Sequence, residues 1–183
     1  MDKNQTPITG SKNIPKGPKR KPTKRGLKFK PNGDGTCKLV GTGLFLEKEV
    51  MIPAFHKRMP VIKIGNNAFL FCKKIKKVII PGTVTSIGGA VFYNCANLTS
   101  VTIPNSVTSI GIGSFSYCSK LTSIAIPDSM RKIGERAFSY CSGLTSITFK
   151  GTKAQWRGIS KGYDWNHNSS ITKVICTDGT VSL

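Results

Sequence analysis

Acidic residues are scarce in this chain: 8 Asp and Glu stand against 28 Lys and Arg in 183 residues. Carboxylates this few and scattered argue against the acidic pairs that general acid and base catalysis requires. The formal net charge of +20 favours attraction to polyanions, such as nucleic acid, anionic lipid or an acidic protein face. Basic residues are densest toward the N-terminus, where residues 1–35 carry ten Lys and Arg against two Asp.

The residues that usually build metal centres and nucleophilic sites are also few. The only histidines are His56 and His167, and no two cysteines lie closer than 23 residues in the sequence. A zinc site needs clustered ligands, and a Cys–His nucleophile needs an imidazole beside a thiol. Gly41-Thr42-Gly43 lacks the spacing and the following helix of a phosphate-binding loop. We therefore predict a protein that is not an enzyme, with no catalytic residue, no metal and no cofactor.

Long apolar runs are missing as well. No stretch approaches the 18 consecutive apolar residues of a membrane-spanning helix, and the first thirty residues contain no apolar core of a signal peptide. These absences predict a cytoplasmic protein without a transmembrane segment. A cell-surface or secreted protein whose leader has been removed is the alternative, and the oligomeric state is left open.

What the sequence has is a repeat of 23 residues. Its most regular marker is cysteine, at Cys72, Cys95, Cys118 and Cys141. Phenylalanine, an Ile-Gly pair and an Ile-Pro pair recur in step with it. Self-similarity at such a period is typical of a solenoid, in which each coil packs only against its neighbours. The cysteines then occupy one interior position of every coil, where a thiol behaves as a small apolar side chain.

One coil, residues 95–118, shows the expected local structure. Leu98, Val101 and Ile103 have the spacing L-x-x-V-x-I, and the alternation from residue 101 predicts a short strand with these side chains turned inward. Pro104 ends that strand because it has no N–H to donate. The segment 114–118 is expected to return to the core as a short helical or 3₁₀ turn.

The stretch LTSVTIPNSVTSIGIGSFSYCSKLTSIAIPDSM resembles the BspA-like leucine-rich repeat family, whose repeat is close to C-x-x-L-x-x-I-x-I-P-x-x-V-x-x-I-G-x-x-A-F-x-x-C. The resemblance covers about 53–147, and the segment after residue 150 is similar to the C-terminal part of such proteins. It implies a curved solenoid with a parallel sheet on its inner side, and a protein-binding role that is commonly adhesive and at the cell surface. We therefore predict an α/β repeat fold, a right-handed leucine-rich repeat solenoid with a short-stranded parallel sheet on one side, helical or 3₁₀ turns on the other and capping units at both ends.

Four segments are predicted. Residues 1–30 form a basic disordered arm, 31–52 an N-terminal β cap, 53–149 the repeats and 150–183 a C-terminal cap. The first repeat is degenerate, with five residues inserted within 54–59. In the C-terminal cap, Thr152 is expected to begin a short helix whose Trp156 and Ile159 cover the open end of the stack. Trp165 is interpreted as a second cap residue or an exposed contact.

Two sets of residues are candidates for binding. The first comprises strand residues that point away from the core and form an open sheet: Lys76, Lys77, Ile79, Thr99, Ser100, Thr102, Thr122, Ser123, Thr145, Ser146 and Thr148. The second comprises basic residues that gather toward the N-terminal end of the stack: Lys16, Lys19, Arg20, Lys21, Lys24, Arg25, Lys28, Lys30, Lys57, Arg58, Lys73 and Lys74. Plain alternatives exist for both sets, since an arm of this composition also serves as a solubilising tail and Thr and Ser suit any exposed sheet.

Two hypotheses of function follow. In the first, the chain is a protein-interaction module that binds a macromolecular partner through the open sheet and the basic N-terminal end. In the second, it is a small intracellular protein associated with nucleic acid, or an inhibitor of a nucleic-acid-processing machine, encoded for example by a phage or mobile element. There the arm and the first coil would contact phosphates or an acidic surface.

Overall fold

A computed structural model describes residues 26–43 and 47–183. They fold as a parallel β-solenoid in which successive coils stack along one axis. The strands are Leu27–Pro31 (β1), Cys37–Thr42 (β2), Glu49–Met51 (β3), Phe55–His56 (β4), Met59–Ile64 (β5), Lys77–Ile79 (β6), Ser86–Ile87 (β7), Ser100–Thr102 (β8), Ser109–Ile110 (β9), Ala125–Ile126 (β10), Lys132–Ile133 (β11), Ser146–Phe149 (β12), Ser160–Lys161 (β13), Lys173–Cys176 (β14) and Gly179–Ser182 (β15). A single helix, Lys153–Gly158 (α1), is found among these described residues.

The coils contribute strands to two sides of the stack. One side is the long sheet, in which β1, β2, β5, β7, β9, β11 and β13 lie in that order and β4 pairs with β5. The other side holds two short sheets, an N-terminal one ordered β3, β6, β8 and a C-terminal one ordered β10, β12, β14, β15. The predicted strand of each coil is the one in the short sheets, and the long sheet was not predicted.

The predicted open sheet is not continuous, because its strands divide between the two short sheets. The strand β8 ends the N-terminal short sheet, β10 begins the C-terminal one, and the residues just before β10 are not in a strand. The coil with Leu121 and Ile124 still buries both side chains, so the core is continuous although the strand hydrogen bonding is not.

The core is a set of ladders of identical residues. Phe69, Phe92, Phe115 and Phe138 are fully buried, and each ring lies 5.2 Å from the next between centroids. Burial of one such side chain contributes about 1.5–3 kcal/mol. A stacked pair adds about 0.5–1.5 kcal/mol. The 23-residue period thus becomes a column of aromatic contacts that fixes the alignment of the coils.

The helical or 3₁₀ turns predicted in each coil are not confirmed, since the segments that hold the ladder phenylalanines are non-helical turns. Tyr117 and Tyr140 have φ of 61° and 58°, a left-handed conformation that a helix excludes. The amides also point to the next coil: the N–H of Phe92 donates to the carbonyl of Ser114, and that of Phe115 to Ala137. These turns combine hydrogen bonds between coils with i→i+3 bonds inside the turn, such as the one from the N–H of Cys118 to the carbonyl of Phe115.

The N-terminal cap is a β-hairpin. β1 and β2 pair antiparallel, and Asp34 accepts hydrogen bonds from the amide and hydroxyl of Thr36 in the turn. The hairpin begins at Leu27, so residues 27–30 of the predicted arm belong to a strand. The reason is that Leu27 and Phe29 alternate with lysines and pack against the core.

The C-terminal cap follows the prediction closely. Thr152 is the N-cap of α1 and forms a capping box with Gln155, while Trp156 and Ile159 are buried. Trp165 also packs against the core, with its ring 5.8 Å from that of Trp156 and edge-on to it. Trp165 is therefore a cap residue. The strands β13 and β14 add one more coil, so the end of the stack is covered by a coil with a helix inserted in it.

Candidate interaction surfaces

The outward-facing residues of the short sheets form two columns that cross the strands. The strand registers place in one column, which we call the apolar column, Met51, Ile79, Thr102, Ala125, Thr148 and Ile175. The column beside it, the polar column, contains Glu49, Lys77, Ser100, Ser146 and Lys173. Both columns are interrupted after β8, which carries Thr102 of the apolar column and Ser100 of the polar column, because the two short sheets are not hydrogen-bonded to each other there.

The structure places the predicted open-sheet residues at different positions. Six lie on strands and face outward: Lys77, Ile79, Ser100, Thr102, Ser146 and Thr148. Lys76, Thr99 and Thr145 each lie just before a strand and are exposed, and Thr122 and Ser123 lie in the segment without strand structure. Met51, Ile175 and Lys173 were not among the predicted binding residues. The strand alternation of β3 and β14 is the signal that could have identified them.

The threonines of this surface are not equivalent. The N–H and Oγ1 of Thr99 both donate to the carbonyl of Lys76, at 2.8 and 2.9 Å. Thr172 repeats this arrangement with the carbonyl of Thr145. These hydroxyls join one coil to the next. Thr102, in contrast, has no side-chain hydrogen bond to any residue that the structure describes. Its hydroxyl is free for a partner.

The insertion in the first repeat folds as a second hairpin. β4 pairs with β5, and Lys57 and Arg58 form the tip with φ of 48° and 67°. Positive φ at both central residues is the geometry of a two-residue type I′ turn. The ring of His56 stacks on that of Phe29 at 4.4 Å, which fixes this basic tip to the N-terminal hairpin.

The other predicted basic residues are partly accounted for. Lys73 and Lys74 are exposed on the turn after Cys72, whose Sγ lies 3.7 Å from Oγ1 of Thr42 in β2. Lys28 and Lys30 are exposed on β1. The remaining candidates all lie outside the described residues: Lys16, Lys19, Arg20, Lys21, Lys24 and Arg25.

The repeated cysteines have a structural role that the spacing alone did not show. The Sγ of Cys95, Cys118 and Cys141 each donates to the carbonyl of the phenylalanine 26 residues earlier, at 3.0–3.1 Å. Burial raises the pKa of Cys95 and of Cys141 to about 12, and raises that of Cys118 well above its usual value. The thiols are therefore neutral donors and unsuited to nucleophilic chemistry. Cys72 is partly exposed and makes a weaker contact, 3.8 Å to the carbonyl of Leu70.

An exposed aromatic stripe runs over the turns beside the cysteines. Phe71, Tyr93, Tyr117, Tyr140 and His167 follow one another with centroid distances of 4.5–5.8 Å. Several of them line a cleft of about 240 Å³ together with Arg136. The rings stack on or meet the edges of their neighbours, so they pack mainly with one another.

The long sheet carries a row of basic residues, three of which, Lys38, Lys63 and Lys132, were not predicted as binding residues. Lys30, Lys38 and Lys63 are paired across β1, β2 and β5, and Lys132 continues the row on β11 after two serines. Lys63 and Lys132 each stand directly before an Ile-Gly pair. Aligning the repeats on those pairs could have revealed the row.

The described part of the chain contains no cluster of three or more His, Cys, Asp or Glu able to hold a metal ion. Within the same residues, no helix has the length and apolar character needed to cross a membrane.

Comparison with known proteins agrees with this architecture. A family model described as the BspA type leucine rich repeat region matches residues 47–160 in six copies. It describes a repeat region and indicates no catalytic family. A search of the curated proteins found no significant match.

Solved structures of bacterial leucine-rich repeat proteins share the fold. A protein from T. pallidum is 22% identical with a TM-score of 0.72, over 81% of this chain and 67% of that chain. One from Bacteroides capillosus is 29% identical with a TM-score of 0.62, over 68% of this chain and 94% of that chain.

The pneumococcal vaccine antigen PcpA is 16% identical with a TM-score of 0.60, over 84% of this chain. This chain spans about half of the PcpA chain, or 48% of it. The likeness of PcpA and of the T. pallidum protein is one of fold. Because the family model covers more than half of the sequence, with six copies of the repeat in register, the chain belongs to the BspA-type leucine-rich repeat family.

Proposed function

We propose that the chain is a non-enzymatic interaction module that binds a protein partner across the outer face of its short sheets, with the basic N-terminal end adding contacts to acidic groups. The repeat family favours protein interaction in general. The choice of surface rests on the residues of the short sheets themselves.

The observation that carries the proposal is the apolar column beside the polar column. Met51 and Ile175 are 48% and 41% exposed although they lie on strands, and Ile79 is half-buried between them in the same column. The neighbouring column presents hydroxyls in its middle and charges at its ends. An apolar centre with a polar margin is the usual arrangement of a protein interface. The hydroxyls of Thr102 and Thr148 form no side-chain hydrogen bond with any described residue, so they can supply hydrogen bonds to a partner within the apolar column.

The basic end supports the same function in a second way. Lys57 and Arg58 project from a hairpin tip that His56 fixes in place, and Lys73 and Lys74 are exposed one coil further along. Charges at the rim of an interface mainly raise the association rate and depend on salt. The basic residues are therefore proposed to attract an acidic partner face to the sheet.

The test is affinity capture from cell lysate with the full chain, treated with nuclease, comparing three forms. The double variant Thr102→Glu, Thr148→Glu places a carboxylate in the apolar column of each short sheet. The control Ser160→Glu places one on the long sheet. We expect the wild type and the control to capture the same proteins, and the double variant to fail to capture them. Retention of the same proteins by all three forms would exclude the short-sheet face as the binding surface.

A further inference from the structure

Three lysines lie opposite one another on adjacent strands of the long sheet. Lys30 of β1 is paired with Lys38 of β2, and Lys38 is paired with Lys63 of β5. Residues directly opposite in a sheet point to the same face. The neighbours Leu39 and Ile64 are fully buried, so the lysines face away from the core. Their backbones are separated by one strand spacing, ~4.8 Å.

Nothing in the described part of the chain neutralises this row. The ion pairs found there are Arg136 with Glu135 and His167 with Asp164, and neither involves a lysine of the row. Like charges directly opposite in a sheet destabilise it. A bound anion would remove that repulsion.

The row opens into a groove along the long sheet. A cleft of about 250 Å³ is lined by Lys38, Lys63 and Asn66, and a second of about 280 Å³ shares Lys63 and Asn66 and reaches Lys132. Ser86 and Ser109 occupy the two strands between Lys63 and Lys132 in register. The floor of the groove is the glycine of each Ile-Gly pair.

We propose that this groove, which we call the lysine groove, binds the phosphate backbone of a single nucleic-acid strand. The row is one side chain wide and crosses the six strands from β1 to β11, roughly 24 Å at ~4.8 Å per strand, so it suits a chain-like anion better than the broad face of a folded protein. Lysine ammonium and serine hydroxyl groups are common donors to phosphate oxygens. None of the described residues that line the two clefts is aromatic, so bases would not stack there and binding would be independent of sequence.

The covalent chain favours nucleic acid as well. The basic residues of 16–25 lie immediately before β1, the strand that carries Lys30, and only Gly26 intervenes. Basic runs of this kind favour polyanionic partners. The proposal concerns a surface other than the short-sheet face, and it does not depend on the protein partner proposed above.

The test is fluorescence anisotropy of the full chain with a labelled single strand of about 16 nucleotides, the upper site size of single-strand-binding folds. The variant Lys38→Gln, Lys63→Gln is compared with Lys150→Gln, Lys173→Gln, which removes the same charge from the residue after β12 and from β14, away from the groove. We expect the first variant to bind at least about tenfold more weakly at low salt. The slope of log affinity against log salt should fall by about 0.7 for each phosphate that the variant no longer binds. The control should weaken binding much less.

Parallel titrations use a duplex of the same sequence, a sulfated polysaccharide and polyglutamate. Equal weakening in the two variants would show general attraction to the net charge, and unchanged affinity in both would show that the groove is not used. Either result overturns the proposal. Tighter binding of the duplex, the polysaccharide or polyglutamate than of the single strand, with the same dependence on Lys38 and Lys63, would assign the groove to that polyanion instead. Circular dichroism verifies that each variant is folded.

Discussion

Replacing Gly111 by alanine should destabilise the solenoid, although alanine usually stabilises a protein relative to glycine. A Cβ built at Gly111 lies 2.5 Å from the carbonyl carbon of Gly88 in the preceding coil, whereas ordinary contacts begin at 3.4 Å. The obstacle is backbone, so no side chain can rotate away. The two coils would have to separate locally by about 1 Å, because that is the difference between the two distances.

The magnitude follows from the hydrogen bonds that such a separation breaks. The N–H of Gly111 donates to the carbonyl of Ile87 at 2.8 Å, and the N–H of Ala90 donates to the carbonyl of Ile112 at 2.8 Å, so both bonds join the two coils that would separate. Each contributes about 0.5–1.5 kcal/mol, and overpacking adds about 1–3 kcal/mol. We expect Gly111→Ala to lower the free energy of unfolding by about 2–6 kcal/mol, measured by urea denaturation followed by circular dichroism.

The matched control is Gly82→Ala. A Cβ at Gly82 meets nothing within 4 Å, and neither Gly82 nor Gly111 has a positive φ. Loss of freedom in the unfolded chain should then stabilise the control by about 0.4–1 kcal/mol. The two substitutions are identical in chemistry and opposite in expected sign. If Gly111→Ala were neutral or stabilising, close backbone contact between coils would not be what requires glycine there.

Three further results are expected. Cys118→Ala should lower the free energy of unfolding by about 1–2 kcal/mol, and its deficit relative to wild type should narrow as pH rises above 9. The sign follows because burial raises the thiol pKa of Cys118 in the folded state. The thiol therefore stabilises the fold fully below the unfolded pKa of 9.0, and this stabilisation is lost as the pH rises above it. A difference in unfolding free energy between variant and wild type that stays constant in urea titrations from pH 7 to 11 would contradict this. Thr99→Val should lower the free energy of unfolding by about 1 kcal/mol because it breaks a hydrogen bond between coils. Thr102→Val should change the free energy of unfolding by no more than about 0.5 kcal/mol. Equal effects of the two substitutions in urea denaturation would refute the distinction between the two hydroxyls. The double variant Lys38→Gln, Lys63→Gln should have a higher melting temperature than wild type at low salt, because it relieves like-charge repulsion. This increase in melting temperature should shrink at high salt, which screens the charges. An increase independent of salt would argue against charge repulsion as the cause.

The repeat period is sufficient to predict most of the core. Cys118, Phe115 and Val101 are all buried, as their positions in the 23-residue period predict. A buried position in a solenoid is set by the spacing of apolar residues, which is visible in one sequence. The N-cap at Thr152 was predictable for a similar reason, because a capping box is a local pattern of four residues.

The long sheet was not predictable in the same way. Its strands from β7 onward are two residues long, and Ser109–Ile110 shows no alternation from which a strand can be inferred. These residues become strands only because the neighbouring coils place partners on both sides. The helical turns predicted in each coil were not confirmed for a related reason, since a sequence does not show that an amide will donate to the next coil.

The sequence by itself thus determined the repeat, the buried ladders and the concentration of positive charge toward the N-terminus. The tertiary structure alone decided which of those charges share a face. Lys30, Lys38 and Lys63 are separated by 8 and 25 residues in the chain, yet the strand register makes them neighbours. It also separated Thr99, whose hydroxyl joins two coils, from Thr102, whose hydroxyl is free. The shared face of the lysines and the different roles of the two threonines both depend on contacts between coils. Those contacts form only when the coils stack, so the linear sequence does not show them.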